Sequence, residues 1–130
     1  MGEPVDEAAL AKLVDRFYAK VRADAQLAPV FENAIEDWPA HLKRLAAFWS
    51  SVMLTSGRYK GNPAAAHLRQ ASRITPALFT RWLELWADAT AETMPEDTAV
   101  LLQARAKRIA GSLQHLLAFH AGAQPQPAFA

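Results

Sequence analysis

Apolar residues recur at three- and four-residue steps along nearly the whole chain, which is the period of a helix face. Leu10, Leu13, Val14, Phe17 and Val21 form the first stripe, and Asp6 stands where a cap belongs. Pro29 disfavours helical geometry in the residue before it. The first helix is therefore expected to end by Ala28, leaving Val30 and Phe31 in a short turn. Asp37 can cap a second helix with Trp38, His41, Leu42, Leu45, Phe48, Trp49 and Val52 as its stripe and Gly57 as its terminator. The segment Gly57-Arg58-Tyr59-Lys60-Gly61-Asn62-Pro63 is rich in turn-forming residues and reads as a loop.

Asn62-Pro63 then signals a short helix carrying Ala64, Ala65, Ala66, His67 and Leu68. The next start signal, Thr75-Pro76, limits it to about two turns, too short to be stable alone. Something must pin it, which is a first hint of a ligand. Thr75-Pro76 opens a longer helix with Leu78, Phe79, Trp82, Leu83, Leu85, Trp86 and Ala89 on its apolar side. Thr93-Met94-Pro95-Glu96 has the spacing of a capping box for a last helix bearing Leu102, Ala106, Ile109, Leu113, Leu116 and Leu117. The sequence shows no strand pattern, repeat or linker. The expectation is one all-α domain over residues 1–130, ordered from about 5 to 120, with a frayed tail from Gly122 to Ala130.

Composition narrows the chemistry. The chain has 130 residues and no cysteine, which removes disulfides, thiolate metal sites and thiol nucleophiles together. Fourteen Lys and Arg against 13 Asp and Glu leave a net charge of +1, unlike a nucleic-acid footprint. No apolar run reaches the roughly 20 residues of a membrane span. Glu3, Asp6 and Glu7 stand where a signal peptide would be basic and then apolar, so a cytoplasmic protein is expected. The glycine-bearing loop follows a helix rather than a strand, so it is no phosphate loop. No Glu-x-x-His pattern supplies a non-haem metal cage, and no serine sits in a nucleophile elbow. Glu36-Asp37 is explained as helix N-terminal charge.

Two histidines and the polar-tipped aromatics remain. His41 lies on the second apolar stripe and His67 on the short helix; His115 and His120 read as surface residues. Either of the first two can be a hydrogen-bonded core residue or a ligand. Tyr18, Trp38, Trp49, Trp82 and Trp86 can be the interior of a small bundle, or some can line a cavity around a flat apolar cofactor.

The order and spacing of these residues decide further. Phe17-Tyr18, Trp38-Pro39-Ala40-His41, Phe48-Trp49, the segment from Gly57 to Pro63, His67-Leu68, Phe79 and Trp82-Leu83-Glu84-Leu85-Trp86 together resemble the truncated haemoglobins, most closely their third group. The likeness runs from about Val5 to Phe119, and the di-glycine motifs of the other groups are absent, as in the third. The resemblance implies a two-over-two helical sandwich around haem b. It places the proximal iron ligand on His67 and the distal residues on Tyr18, His41 and Trp82. Phe31 is similar to the aromatic that stacks on the porphyrin, and Leu45, Phe48 and Trp49 fall on the distal wall. Arg44 and Tyr59 fall near the haem propionates, and Leu68, Phe79 and Ile109 complete the haem-contacting set.

Dioxygen, nitric oxide and carbon monoxide are the implied ligands, with oxygen and nitric oxide redox chemistry more than bulk transport. Nitric oxide dioxygenation consumes electrons, and the chain has no room for a reductase domain, so an external reductase is the implied partner. The alternatives are an oxygen carrier or sensor without turnover, a peroxidase-like enzyme using His41 as acid–base, and a cofactor-free helical interaction module. No nucleic-acid or membrane partner is expected.

Overall fold

The computed structural model describes residues 5–62, 67 and 74–123. Among them run five helices: α1 (Glu7–Ala23), α2 (Ala28–Ala34), α3 (Trp38–Leu54), α4 (Pro76–Thr93) and α5 (Glu96–Ala123). α1 packs on α3 and on α4, α2 packs on α1, and α5 packs on α4. The pairs α1/α3 and α4/α5 thus meet where α1 lies against α4, the two-over-two arrangement that the resemblance implied.

Three helix starts follow from short polar side chains. The Asp6 carboxylate accepts from the Ala9 N–H at 2.8 Å, Asp37 from Ala40 at 3.1 Å, and the Thr75 hydroxyl from Leu78 at 3.4 Å. Each satisfies one of the N–H groups that a helix leaves without an internal partner.

The stops differ from the expectation. α1 ends at Ala23 because Asp24 turns the chain: its carboxylate accepts from Gln26 N–H at 3.1 Å and Leu27 N–H at 3.0 Å. Arg81 of α4 holds the same carboxylate at 2.8 Å, fastening this corner to α4. Burial alone raises the Asp24 carboxyl, but these three donors outweigh it and hold it below the usual range. Pro29 then opens a helix where a turn was expected, so Val30 and Phe31 are helical residues of α2. A proline in the first turn has no N–H that the helix needs.

α3 stops at Leu54, not at Gly57, with Thr55 in the left-handed region at φ 52°. Gly57 takes a positive φ of 71° two residues later, inside the loop. Thr93 does not cap α5. It belongs to α4, and its hydroxyl donates back to the Ala89 carbonyl at 2.9 Å. Gly122 lies within α5 rather than in a frayed tail. The expected short helix lies outside the described residues except for His67, which is helical and half-buried. The tail 124–130 also lies outside them.

The core forms where α1, α3, α4 and α5 meet. Leu10, Leu13, Val14, Phe17, Tyr18 and Val21 of α1 are buried with Trp49, Leu85, Trp86, Ala89, Leu102 and Ala106. A polar knot ties the segment after α3 to the start of α1. The buried Ser50 hydroxyl donates to Glu7 at 2.6 Å and lies 2.6 Å from the Ser56 hydroxyl, while Arg58 pairs with the same Glu7.

Candidate haem site

One turn of α1 points two aromatic rings in different directions. Phe17 faces the core, and Tyr18 faces a cluster drawn from α2, α3 and α4. Around the Tyr18 ring stand Phe31 at 5.7 Å, Trp38 at 5.9 Å and His41 at 5.3 Å between centroids. Trp38 and His41 are three residues apart on α3 and so share a face; their rings meet at 88° and 5.7 Å.

The Trp82 indole of α4 lies near the Tyr18 hydroxyl and lowers the phenol's ionisation, as a hydrogen-bond donor does. An indole nitrogen can only donate, so Trp82 offers its N–H toward the phenol oxygen. That leaves the Tyr18 O–H proton itself to be donated elsewhere. Burial drives the phenol's ionisation far above its usual range, more than the Trp82 bond lowers it, so Tyr18 keeps its proton.

Trp82 is positioned by a column of indoles. Its ring is parallel to that of Trp86 within 3° at 6.0 Å, and Trp86 stacks on Trp49 at 4.4 Å. The Trp86 N–H donates to the Leu102 carbonyl of α5 at 3.1 Å, which locks the middle of the column. Phe17 closes edge-on against Trp82 and Trp86 at 5.6 and 4.9 Å. A bond to a carbonyl on α5 thus reaches the Tyr18 hydroxyl through two tryptophans.

His41 is held neutral. Burial pushes its pKa down to about 4, with the Arg44 charge adding to the effect. Its Nε2 is buried without a hydrogen-bond partner among the described residues, and so is the Trp38 Nε1. Each unmade bond of this kind costs about 1–3 kcal/mol. Two such atoms beside a tyrosine with a spare proton form a set suited to a small polar ligand that contacts them only when it is bound.

The other expected site residues spread along α3 and beyond. Trp49 is a core residue of the indole column, and Leu45 and Phe48 pack at the core's edge. Phe48 also meets Tyr59 edge-on at 5.3 Å. Tyr59 is fixed by its own N–H, which donates to Ser51 at 3.0 Å, and its ring fills the space where a Gly61 side chain would stand. Arg44 is exposed, Phe79 is buried on α4, and Ile109 is half-buried on α5. Leu68 lies outside the described residues. His115 is exposed, as expected, and the His120 side chain lies outside them. The structure therefore brings Tyr18, Phe31, His41 and Trp82 together directly. Trp38, expected only as one of the aromatics that could line a cavity, belongs with them; its spacing from His41 was the available signal.

A helical sandwich with this polar-tipped aromatic cluster at the junction of α1, α3 and α4 defines a globin. The chain belongs to the bacterial-like globin family, whose model matches residues 5–119. It is 32% identical over 124 residues to the group 3 truncated hemoglobin ctb of Campylobacter jejuni, covering 92% of this chain and 97% of that protein. The crystal structure of a group III truncated hemoglobin from Campylobacter jejuni superposes with a TM-score of 0.80 at 33% identity, covering 88% of this chain and 93% of that one. Globins are haem-based ligand-binding proteins, and the cluster around Tyr18 fits that chemistry: a flat apolar wall with a few polar tips, two of them without hydrogen-bond partners among the described residues. No helix among the described residues is long and apolar enough to cross a membrane.

Proposed function

We propose that this chain holds haem b through His67 and uses Tyr18 to stabilise a bound diatomic ligand for oxygen and nitric oxide redox chemistry. The haem supplies the iron that binds the ligand and changes oxidation state. The protein supplies the surroundings. Tyr18 donates its free O–H proton toward the ligand, while Trp82 orients the phenol by donating to its oxygen. The neutral His41 adds a second polar group without adding charge. Water is kept out by Phe31, Trp38 and Trp82. In so apolar a pocket each hydrogen bond to a partly charged ligand gains strength.

The observation that carries this reading is the Tyr18 ring set among Phe31, Trp38 and His41 with the Trp82 N–H offered toward its oxygen. This leaves one donor unspent at the centre of a buried aromatic cluster. Polar stabilisation of this kind favours oxygen and slow release, which suits nitric oxide dioxygenation with electrons from an external reductase. A second reading, peroxidase-like chemistry, draws on the unpartnered His41 Nε2, which can take a proton from a peroxide O–H. Turnover of nitric oxide to nitrate with a reductant, against peroxide-driven oxidation of a phenol, separates the two. Neither activity would leave an oxygen carrier or sensor.

Absorption spectra of the purified protein in ferric, ferrous and carbon monoxide forms test the haem itself. A Soret band is expected, and His67→Ala is expected to lose it or shift it, while His41→Ala keeps it. No Soret band after haem addition would return the chain to a helical interaction module. Unchanged spectra in His67→Ala would remove His67 as the iron ligand.

A further inference from the structure

The wall beside His41 is a chain of contacts across three helices. Glu32 of α2 holds the Arg22 guanidinium of α1 at 3.3 Å. Arg22 in turn lies 4.4 Å from the centre of the Trp38 ring on α3. Trp38 then meets both His41 and Tyr18 with its ring. The sequence spacing builds this twice over: Tyr18 and Arg22 are one turn apart on α1, and Trp38 and His41 three residues apart on α3. A cation over an indole face is attracted by the ring's negative quadrupole. Arg22 therefore clamps Trp38 from the half-exposed side.

His41 needs such a clamp. Its Nε2 makes no hydrogen bond among the described residues, so turning the imidazole out to water would gain one. What opposes that turn is ring contact with Tyr18 on one side and Trp38 on the other. We propose that Trp38, clamped by Arg22 and Glu32, is the positioning residue that keeps His41 inside the pocket and thereby sets how readily a diatomic ligand enters. The inference rests on the haem reading above for its ligand, but the clamp itself is a property of the protein alone.

Carbon monoxide association with the ferrous protein after flash photolysis is the test. Arg22→Gln removes the cation at a half-exposed position and is expected to speed association about two- to fivefold, the weight of an exposed cation–π contact. Arg22→Lys keeps a cation and is expected to restore the wild-type rate. Trp38→Ala is expected to exceed both. In a His41→Ala background the same Arg22→Gln change should do nothing, because the clamp acts through His41. An unchanged rate in Arg22→Gln overturns the proposal, and so does an equal rise with and without His41. If the protein has no Soret band, the haem reading fails, and the clamp is read instead from the His41 ring-proton shift by NMR. That shift is expected to stand apart from exposed His115 and to move toward it in Arg22→Gln; no movement overturns the clamp.

Discussion

Trp82 and Trp86 lie one turn apart on α4 with parallel rings, yet their N–H groups do different work. Trp86 is buried and donates to the Leu102 backbone carbonyl. Trp82 is half-buried and donates to the Tyr18 side chain. The first bond ends in the backbone and completes the core. The second ends in a hydroxyl whose own proton remains to be given away. On the core side the Trp86 N–H is paired, whereas on the pocket side the Trp38 Nε1 and His41 Nε2 have no hydrogen-bond partner among the described residues. Buried polar groups are normally paired, so the unpaired half marks the place where something outside the chain is expected to bind.

The contrast breaks first in the core. Trp86→Ala is expected to cost about 3–5 kcal/mol of stability by chemical denaturation, the range for truncating a buried aromatic. It also removes the stacking support of Trp82, so any surviving protein should bind oxygen less well. A loss confined to ligand binding, with stability intact, would place Trp86 on the pocket side.

On the pocket side, Trp82→Phe is expected to speed oxygen dissociation about fivefold, since one ordinary hydrogen bond contributes about 1 kcal/mol. The effect should vanish in a Tyr18→Phe background, because Trp82 acts on the phenol oxygen and not on the ligand. A full, additive effect in that background would mean that Trp82 turns its donor to the ligand directly.

His41 sharpens the comparison through pH. Its pKa falls to about 4 in the folded protein, against the usual value near 6.5. Between those values the unfolded chain binds the extra proton and the folded chain does not, so stability is lost as pH drops through this window. His41→Phe is expected to flatten that part of the stability curve. A curve that keeps its slope would mean that His41 is already solvated in the fold.

The smallest expected effect lies outside both halves. Thr55 caps α3 in the left-handed region, where a side chain with a branched β-carbon is strained. Thr55→Gly is expected to add up to about 1 kcal/mol by thermal unfolding, without changing ligand rates.

Much of this was legible in the sequence, for reasons that differ by residue. Asp6, Asp37 and Thr75 cap their helices because capping is local chemistry that a few neighbouring residues specify. The apolar stripes mark the core because helical period and burial go together. Pro29 reads as the end of one helix, but proline also starts one, and here it opens α2. Asp24, whose carboxylate makes the turn, resolves that ambiguity only once Arg81 is seen to hold it from another helix. The Tyr18, His41 and Trp82 positions came from family resemblance, and the structure gathers them around one point. The direction of the Trp82 bond could not be read, because it depends on how two helices sit against each other. The Arg22 contact with Trp38 was missed for the same reason: it joins α1 to α3 and leaves no local pattern.

The central claim is that the pocket half keeps a donor for a ligand, and that donor is the Tyr18 hydroxyl. The most direct measurement is the ratio of oxygen to carbon monoxide dissociation rates in Tyr18→Phe against wild type. A hydrogen bond to a charged group contributes about 1.5–3 kcal/mol, so the oxygen rate is expected to rise about tenfold to a hundredfold. Carbon monoxide, which carries far less charge, should change little. If both rates rise by the same factor, Tyr18 acts by shape alone, and the claim that its proton serves the ligand is contradicted.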